Sequence, residues 1–162
     1  MGGELQRYVP AYDPDEEVTA AGIAVSYWAS LPYLGLYART DDGQGEIGLR
    51  ADLAAPSHAW LRRAVLAHEL GHHHLHAGIY VGPVHCRRSD LTVSTIELQA
   101  ERFAGERLIS VELARHALRA WGQLGTAEIA DLADLARVPV EFAAWWVADL
   151  AGRGLFLPPS AR

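Results

Sequence analysis

The sequence predicts an α+β fold: a short N-terminal helix, a small antiparallel sheet, and then a series of helices. Three observations predict it. Residues 23–50 are rich in β-branched and aromatic side chains and are broken by turn-forming residues. From Pro56 onward the apolar residues recur at helical rather than alternating spacing. The first long helical segment also carries His68-Glu69-Leu70-Gly71-His72, flanked on both sides by apolar sequence.

With 162 residues, half of them hydrophobic, the chain can bury a core, and a single domain over residues 1–162 is expected. Its parts are an N-terminal helix and sheet at about 14–55, two motif-bearing helices at about 57–109 and a helical C-terminal part at about 111–152. A net charge of -6 argues against a general nucleic-acid binder, which would present a basic face. All the basic side chains are arginine, which fits codon bias. The single cysteine, Cys86, excludes an internal disulfide and fits a reducing compartment. Met1–Glu17 has no apolar core of the secretory kind. Val18–Ala38 is uncharged and long enough to span a bilayer, but Gly22, Ser26, Ser30, Pro32 and Gly35 interrupt it. Two short buried strands explain it better, so no membrane partner is expected and the cytoplasm is the expected location.

Each element has a local cause. Asp13 followed by Pro14 and the acids Asp15, Glu16 and Glu17 reads as a helix start, with Gly22 near its end. Strands are expected at Ile23–Trp28 and Leu34–Arg39, separated by Leu31-Pro32. The turn Thr40–Gly45 then leads into Glu46–Arg50, an alternating strand expected at the sheet edge. Pro56 and Ser57 open a helix to about Ala77, closed by Gly78. Ala77–Val93 reads as irregular, and further helices follow at about Thr95–Ile109 and Val111–Trp121. Thr126 is the expected cap of Ala127–Arg137, and Val138-Pro139 separates that helix from Val140–Ala151.

On a helix, residues four apart lie one above the other, so His68 and His72 can aim two imidazole nitrogens at one point. That suits two ligands of a tetrahedral Zn2+, with Glu69 beside them to act on a water. Leu70 and Gly71 suit close packing of the helix. A third ligand is needed. The metzincin continuation requires Gly at 75 and His at 78, where the chain has Leu75 and Gly78. His76 lies a further turn along the axis, too far to converge with both histidines. Glu97 on the next helix fits the gluzincin arrangement, with Glu101 one turn on to orient a histidine. Ser94 and Glu97 also form a capping box, in which the glutamate only satisfies a backbone N–H, and that alternative stays open. Glu106 is a weaker competitor, deeper in the helix and without a spaced partner.

The residues His68-Glu-Leu-Gly-His72-x-x-x-His76 and Glu97-x-x-Ala100-x-x-Phe103-Ala104-x-x-x-Leu108 resemble the ImmA/IrrE family of metallo-endopeptidases. Gly45–Arg50 resembles the strand before that family's zinc helix, and Leu132–Val147 its helix-turn-helix-like C-terminal segment. The resemblance covers roughly residues 14–155. It implies a minimal gluzincin-like domain in which His68, His72 and Glu97 bind zinc, Glu69 is the general base and Glu101 supports a ligand. It also implies cleavage of a protein partner, typically a helix-turn-helix repressor of phage, mobile-element or stress genes. Two positions depart from the family pattern. Glu101 stands where Asn or Asp is usual, and Ile109-Ser110 replaces Met-Pro.

Hydrolysis by such a site also needs an oxyanion donor. His85, Tyr80 and Arg87 are candidates, Cys86 reads as a buried thiol, and His73-His74 read as exposed. An extended substrate is expected to dock on Glu46–Arg50 or Leu34–Arg39. The C-terminal helices could suggest DNA binding, but Val111–Arg162 holds five arginines against six acids. Phe142, Trp145, Trp146 and Val147 suit packing better than a groove. The competing readings are a non-proteolytic zinc-holding regulator, as in a toxin–antitoxin pair, and a direct DNA-binding regulator.

Overall fold

The computed structural model describes residues 10–40, 43–76 and 95–156. The chain divides into two compact units, Asp13–Ala104, and Gly105–Arg162 with Met1–Tyr12. The boundary between Ala104 and Gly105 falls inside the helix Thr95–Leu108.

In the first unit, helix α1 (Pro14–Ala20) begins as its sequence dictates. The Asp13 carboxylate accepts from the Asp15 N–H at 2.9 Å, and Gly22 takes a left-handed φ of 66° just past the end. Strands β1 (Ala24–Trp28), β2 (Gly35–Arg39) and β3 (Gly45–Arg50) form one sheet in the order β1-β3-β2. β3 runs antiparallel to β2 and parallel to β1, so the sheet is mixed, not antiparallel, and its third strand is central, not at the edge. The physical reason is local. Thr40 and Gln44 close a short hairpin, with Thr40 N–H to Gln44 C=O at 2.9 Å, which fixes β2 beside β3. β1 then pairs with the free side of β3. Alternation in Glu46–Arg50 reports which faces are covered but says nothing about which side has a neighbour. Ile47 and Leu49 are fully buried on one face, while Gly48 on the other lies beneath the Trp28 ring.

Two 3-10 turns (Ala51–Ala54 and Pro56–His58) lead into α2 (Ala59–Leu75), so the long helix starts two residues later than Ser57. From Ala64 to His72 every residue of α2 is buried. Its apolar side joins Val65, Leu66 and Leu70 to Val18, Ile23, Tyr37, Ile47, Leu49 and Leu53 in one core. On its solvent side, Arg62 donates to the Asp15 carboxylate and, at 2.7 Å, to the Tyr27 hydroxyl, tying α2 to α1 and β1. Helix α3 (Thr95–Leu108) contributes its residues up to Ala104 to this unit. It approaches α2 closely at Gly71, where a Cβ would come within 2.8 Å of the Ala100 Cα.

The second unit holds α4 (Val111–Trp121), α5 (Thr126–Ala136) and α6 (Val140–Gly152). Ser110 Oγ caps α4 by accepting from Leu113 N–H at 3.1 Å, and Gly122 ends it at φ 76°. Gly125, not Thr126, is the N-cap of α5. Thr126 is already helical, and Glu128 reaches back to accept the Gly125 N–H at 3.0 Å. Trp146, 1% exposed, donates its indole N–H to the Ile109 carbonyl at 2.7 Å, and Gly105 leaves room for its ring. Among the described residues no helix is long and apolar enough to cross a membrane.

Candidate metal centre

α2 and the first turns of α3 bring the centre together inside the first unit. His68 and His72 sit one turn apart, with their Nε2 atoms 3.1 Å from each other. Glu97 spans the pair, with Oε2 3.3 Å from His68 Nε2 and Oε1 3.2 Å from His72 Nε2. The three side chains are buried. Four ligands at zinc-like bond lengths of about 2.0–2.2 Å lie about 3.3–3.6 Å apart at the corners of a tetrahedron. Two nitrogens and a carboxylate, all within 4.8 Å of one another, therefore fit three corners around a metal ion. The carboxylate of Glu97 is taken up by the imidazoles. Ser94, its partner in the capping alternative, lies outside the described residues.

The surroundings show how the donors are aimed. His68 Nδ1 lies 2.9 Å from Glu101 Oε2, so Glu101 accepts the Nδ1–H and leaves the Nε2 lone pair pointing at the centre. Glutamate in place of Asn or Asp at this position still reaches the ring. Burial opposes it, but the neighbouring His68 and His72 rings bring the Glu97 pKa down to about 2. Glu106 is exposed.

Glu69 is almost wholly buried. Burial raises its pKa to about 7, reinforced by the charges of Glu97 and Glu101 and opposed by His68 and a backbone hydrogen bond from Tyr37. That bond comes from the outer side of β2. The Leu34 carbonyl accepts from Arg50 of β3 and Thr40 N–H donates to Gln44 just before it, so strand alternation turns Gly35, Tyr37 and Arg39 the other way. Gly35 permits the approach, because a Cβ there would overlap the Glu69 carboxylate and come within 2.6 Å of Val65 Cγ1. The motif's own sequence carries no sign of this contact. The central place of β3 removes Glu46–Arg50 as a docking edge, and among the described residues β2, from the expected pair, has no strand on its other side.

Three further histidines differ from expectation or add to it. His73 is not simply exposed: its Nδ1 lies 2.9 Å from the Tyr37 hydroxyl, and burial holds its pKa below the usual value. His74 pairs with Glu17 at 2.6 Å and stacks on Phe103. His76 is buried, 3.1 Å from His72 Nδ1 to Nδ1, and its Nε2 meets Gln99 Oε1 at 3.0 Å. It does not join the donor cluster, as its position along the helix axis implies. Sequence reasoning missed Gln99 and gave His76 no role beyond that of a rejected ligand. The i, i+4 spacing of His72 and His76 was the available signal. Tyr80, His85, Cys86 and Arg87 lie outside the described residues.

With this geometry in place, the family comparison is decisive. Residues 18–145 match the family model of the IrrE N-terminal-like peptidase domain, well over half of the chain. The chain belongs to that family. No curated protein and no solved structure matches the chain. Membership in a metallopeptidase family agrees with the two-histidine, one-glutamate cluster and makes a metal-ion centre its natural reading.

Proposed function

We propose that the chain is a cytoplasmic zinc-dependent endopeptidase. The observation that carries this is a buried carboxylate, Glu69, held near neutral pKa beside a convergent His68–His72–Glu97 donor set. Two neutral imidazole nitrogens and one carboxylate oxygen are a donor set that suits zinc. When bound, zinc on three protein ligands supplies a Lewis acid and an acidified water in its open position.

The chain's own residues supply the rest. Glu69 takes the proton of the attacking water and delivers it to the leaving amine, and a pKa near the working pH suits both transfers. Tyr37 N–H holds that carboxylate against the strand edge. Glu101 holds His68 in the tautomer with Nε2 free. An extended peptide lies along β2 and hydrogen-bonds to the outward groups of Gly35 and Arg39 that Glu69 does not use. The edge thus presents the scissile bond to the same carboxylate that needs to reach it. A protein partner, specifically a helix-turn-helix repressor, is the substrate that the family resemblance supports.

The deciding experiment is Glu69→Gln in the full chain, with zinc content and cleavage of candidate repressors measured together. Retained zinc with cleavage reduced at least about 1,000-fold is expected, from loss of the proton shuttle and its alignment. Full biological activity in that variant would refute the peptidase and leave a metal-holding regulator.

A further inference from the structure

The two histidines of the donor set are supported differently, and the difference carries a new assignment. His68 leans on a carboxylate. His72 leans on a neutral chain that runs outward through His76 Nδ1 at 3.1 Å and from His76 Nε2 to Gln99 Oε1 at 3.0 Å. We propose that His76 and Gln99 are positioning residues, a hydrogen-bond relay that holds His72 with its Nε2 lone pair facing the metal.

The argument is a count of protons. The amide oxygen of Gln99 can only accept, so His76 must donate to it from Nε2. A neutral imidazole carries one ring proton, which leaves His76 Nδ1 as an acceptor. His72 must then donate from Nδ1, and its one proton is spent facing outward. Its Nε2 is left as a lone pair, aimed at His68 and Glu97. Each link is forced by the one outside it, so the amide at residue 99 selects the tautomer of a ring two residues inward. The layout follows from helical spacing. His76 is one turn beyond His72 on α2, and Gln99 lies between Glu97 and Glu101 on α3. A rejected third ligand thereby has a use, and Glu97, Gln99 and Glu101 act on the same centre from one helix.

This assignment rests on the metal-site reading, and the experiment separates the two. Zinc affinity of the full chain is measured by chelator competition for wild type, His76→Phe, Gln99→Leu and Gln99→Glu, with the absorption bands of the cobalt-substituted proteins recorded alongside. Thermal unfolding of each metal-free variant controls for the fold, and the exposed setting of Gln99 makes its variants safe in that respect. His76→Phe is expected to weaken zinc binding about 10- to 100-fold, and Gln99→Leu about tenfold, both with altered cobalt bands. Gln99→Glu keeps an acceptor for His76 and is expected to stay within about threefold of wild type. Tight wild-type binding with unchanged His76→Phe and Gln99→Leu overturns the relay alone. An equal loss in Gln99→Glu and Gln99→Leu overturns it too, because bulk rather than acceptance would then be the cause. A wild-type chain that binds no zinc refutes the metal site and the relay with it.

Discussion

Helices α2 and α6 both carry buried residues, for opposite reasons. In α6, Phe142, Ala143, Trp146, Val147 and Leu150 are buried, and the one interior polar group, the Trp146 N–H, ends on the Ile109 carbonyl. That helix is stabilised by what it removes from water. In α2 the buried run includes His68, Glu69 and His72, and His76 follows directly after it. Burying those groups costs folding free energy unless each finds a partner. The partners are Glu101, Tyr37 N–H, Glu97, and His76 with Gln99. One helix shows what a sequence does for stability alone; the other shows stability given up for chemistry.

The largest expected effect breaks the stabilising side. Trp146→Ala removes a fully packed ring and orphans the Ile109 carbonyl, and should cost about 3–5 kcal/mol in denaturant unfolding. Glu69→Gln should act with the opposite sign in the metal-free protein. Its carboxyl is pushed up to about 7, so between pH 4.5 and 7 the folded state binds more protons than the unfolded state. Stability therefore falls as pH rises through that window, and the full penalty applies above it. Removing the charge should raise stability at pH 8 by up to about 3 kcal/mol and leave it nearly unchanged at pH 4. Thermal unfolding at the two pH values checks this, and destabilisation at pH 8 would contradict it.

Gly71→Ala should follow, at about 1–3 kcal/mol, because its methyl group meets the Ala100 backbone rather than a movable side chain. α3 carries Glu97 and Glu101, so zinc affinity should fall along with stability. An equal-sized loss at Gly105→Ala, against Trp146, should leave zinc affinity alone. The smallest effect is at the surface. Asp15→Ala breaks a partly exposed pair with Arg62, whose side chain is 24% exposed, and should cost about 1 kcal/mol or less, shrinking with added salt.

Much of the chain was legible from local rules. Asp13-Pro14 marks a helix start because a cap acts through its own backbone neighbours. His68 and His72 were legible as a pair because i, i+4 spacing is a property of any helix. Spacing alone left Glu97 balanced between a metal ligand and a helix cap, and the family resemblance favoured the ligand. Strand order was not legible, because an alternating pattern reports covered faces and not lateral neighbours. Nor were Gly35, Tyr37 and Gln99, whose places depend on which segments approach one another.

By itself, then, the sequence determined the helical elements and the spacing of His68, Glu69 and His72 along one helix, consequences of short-range geometry. Only the tertiary structure decided that β3 is central, that β2 presents its edge to Glu69, and that Gln99 closes a relay onto His72. Those depend on the close approach of α2 to β2 at Gly35, where α2 side chains take the space of a Cβ, and to α3 at Gly71, where the Ala100 backbone does. A glycine in a string of letters does not say what it makes room for.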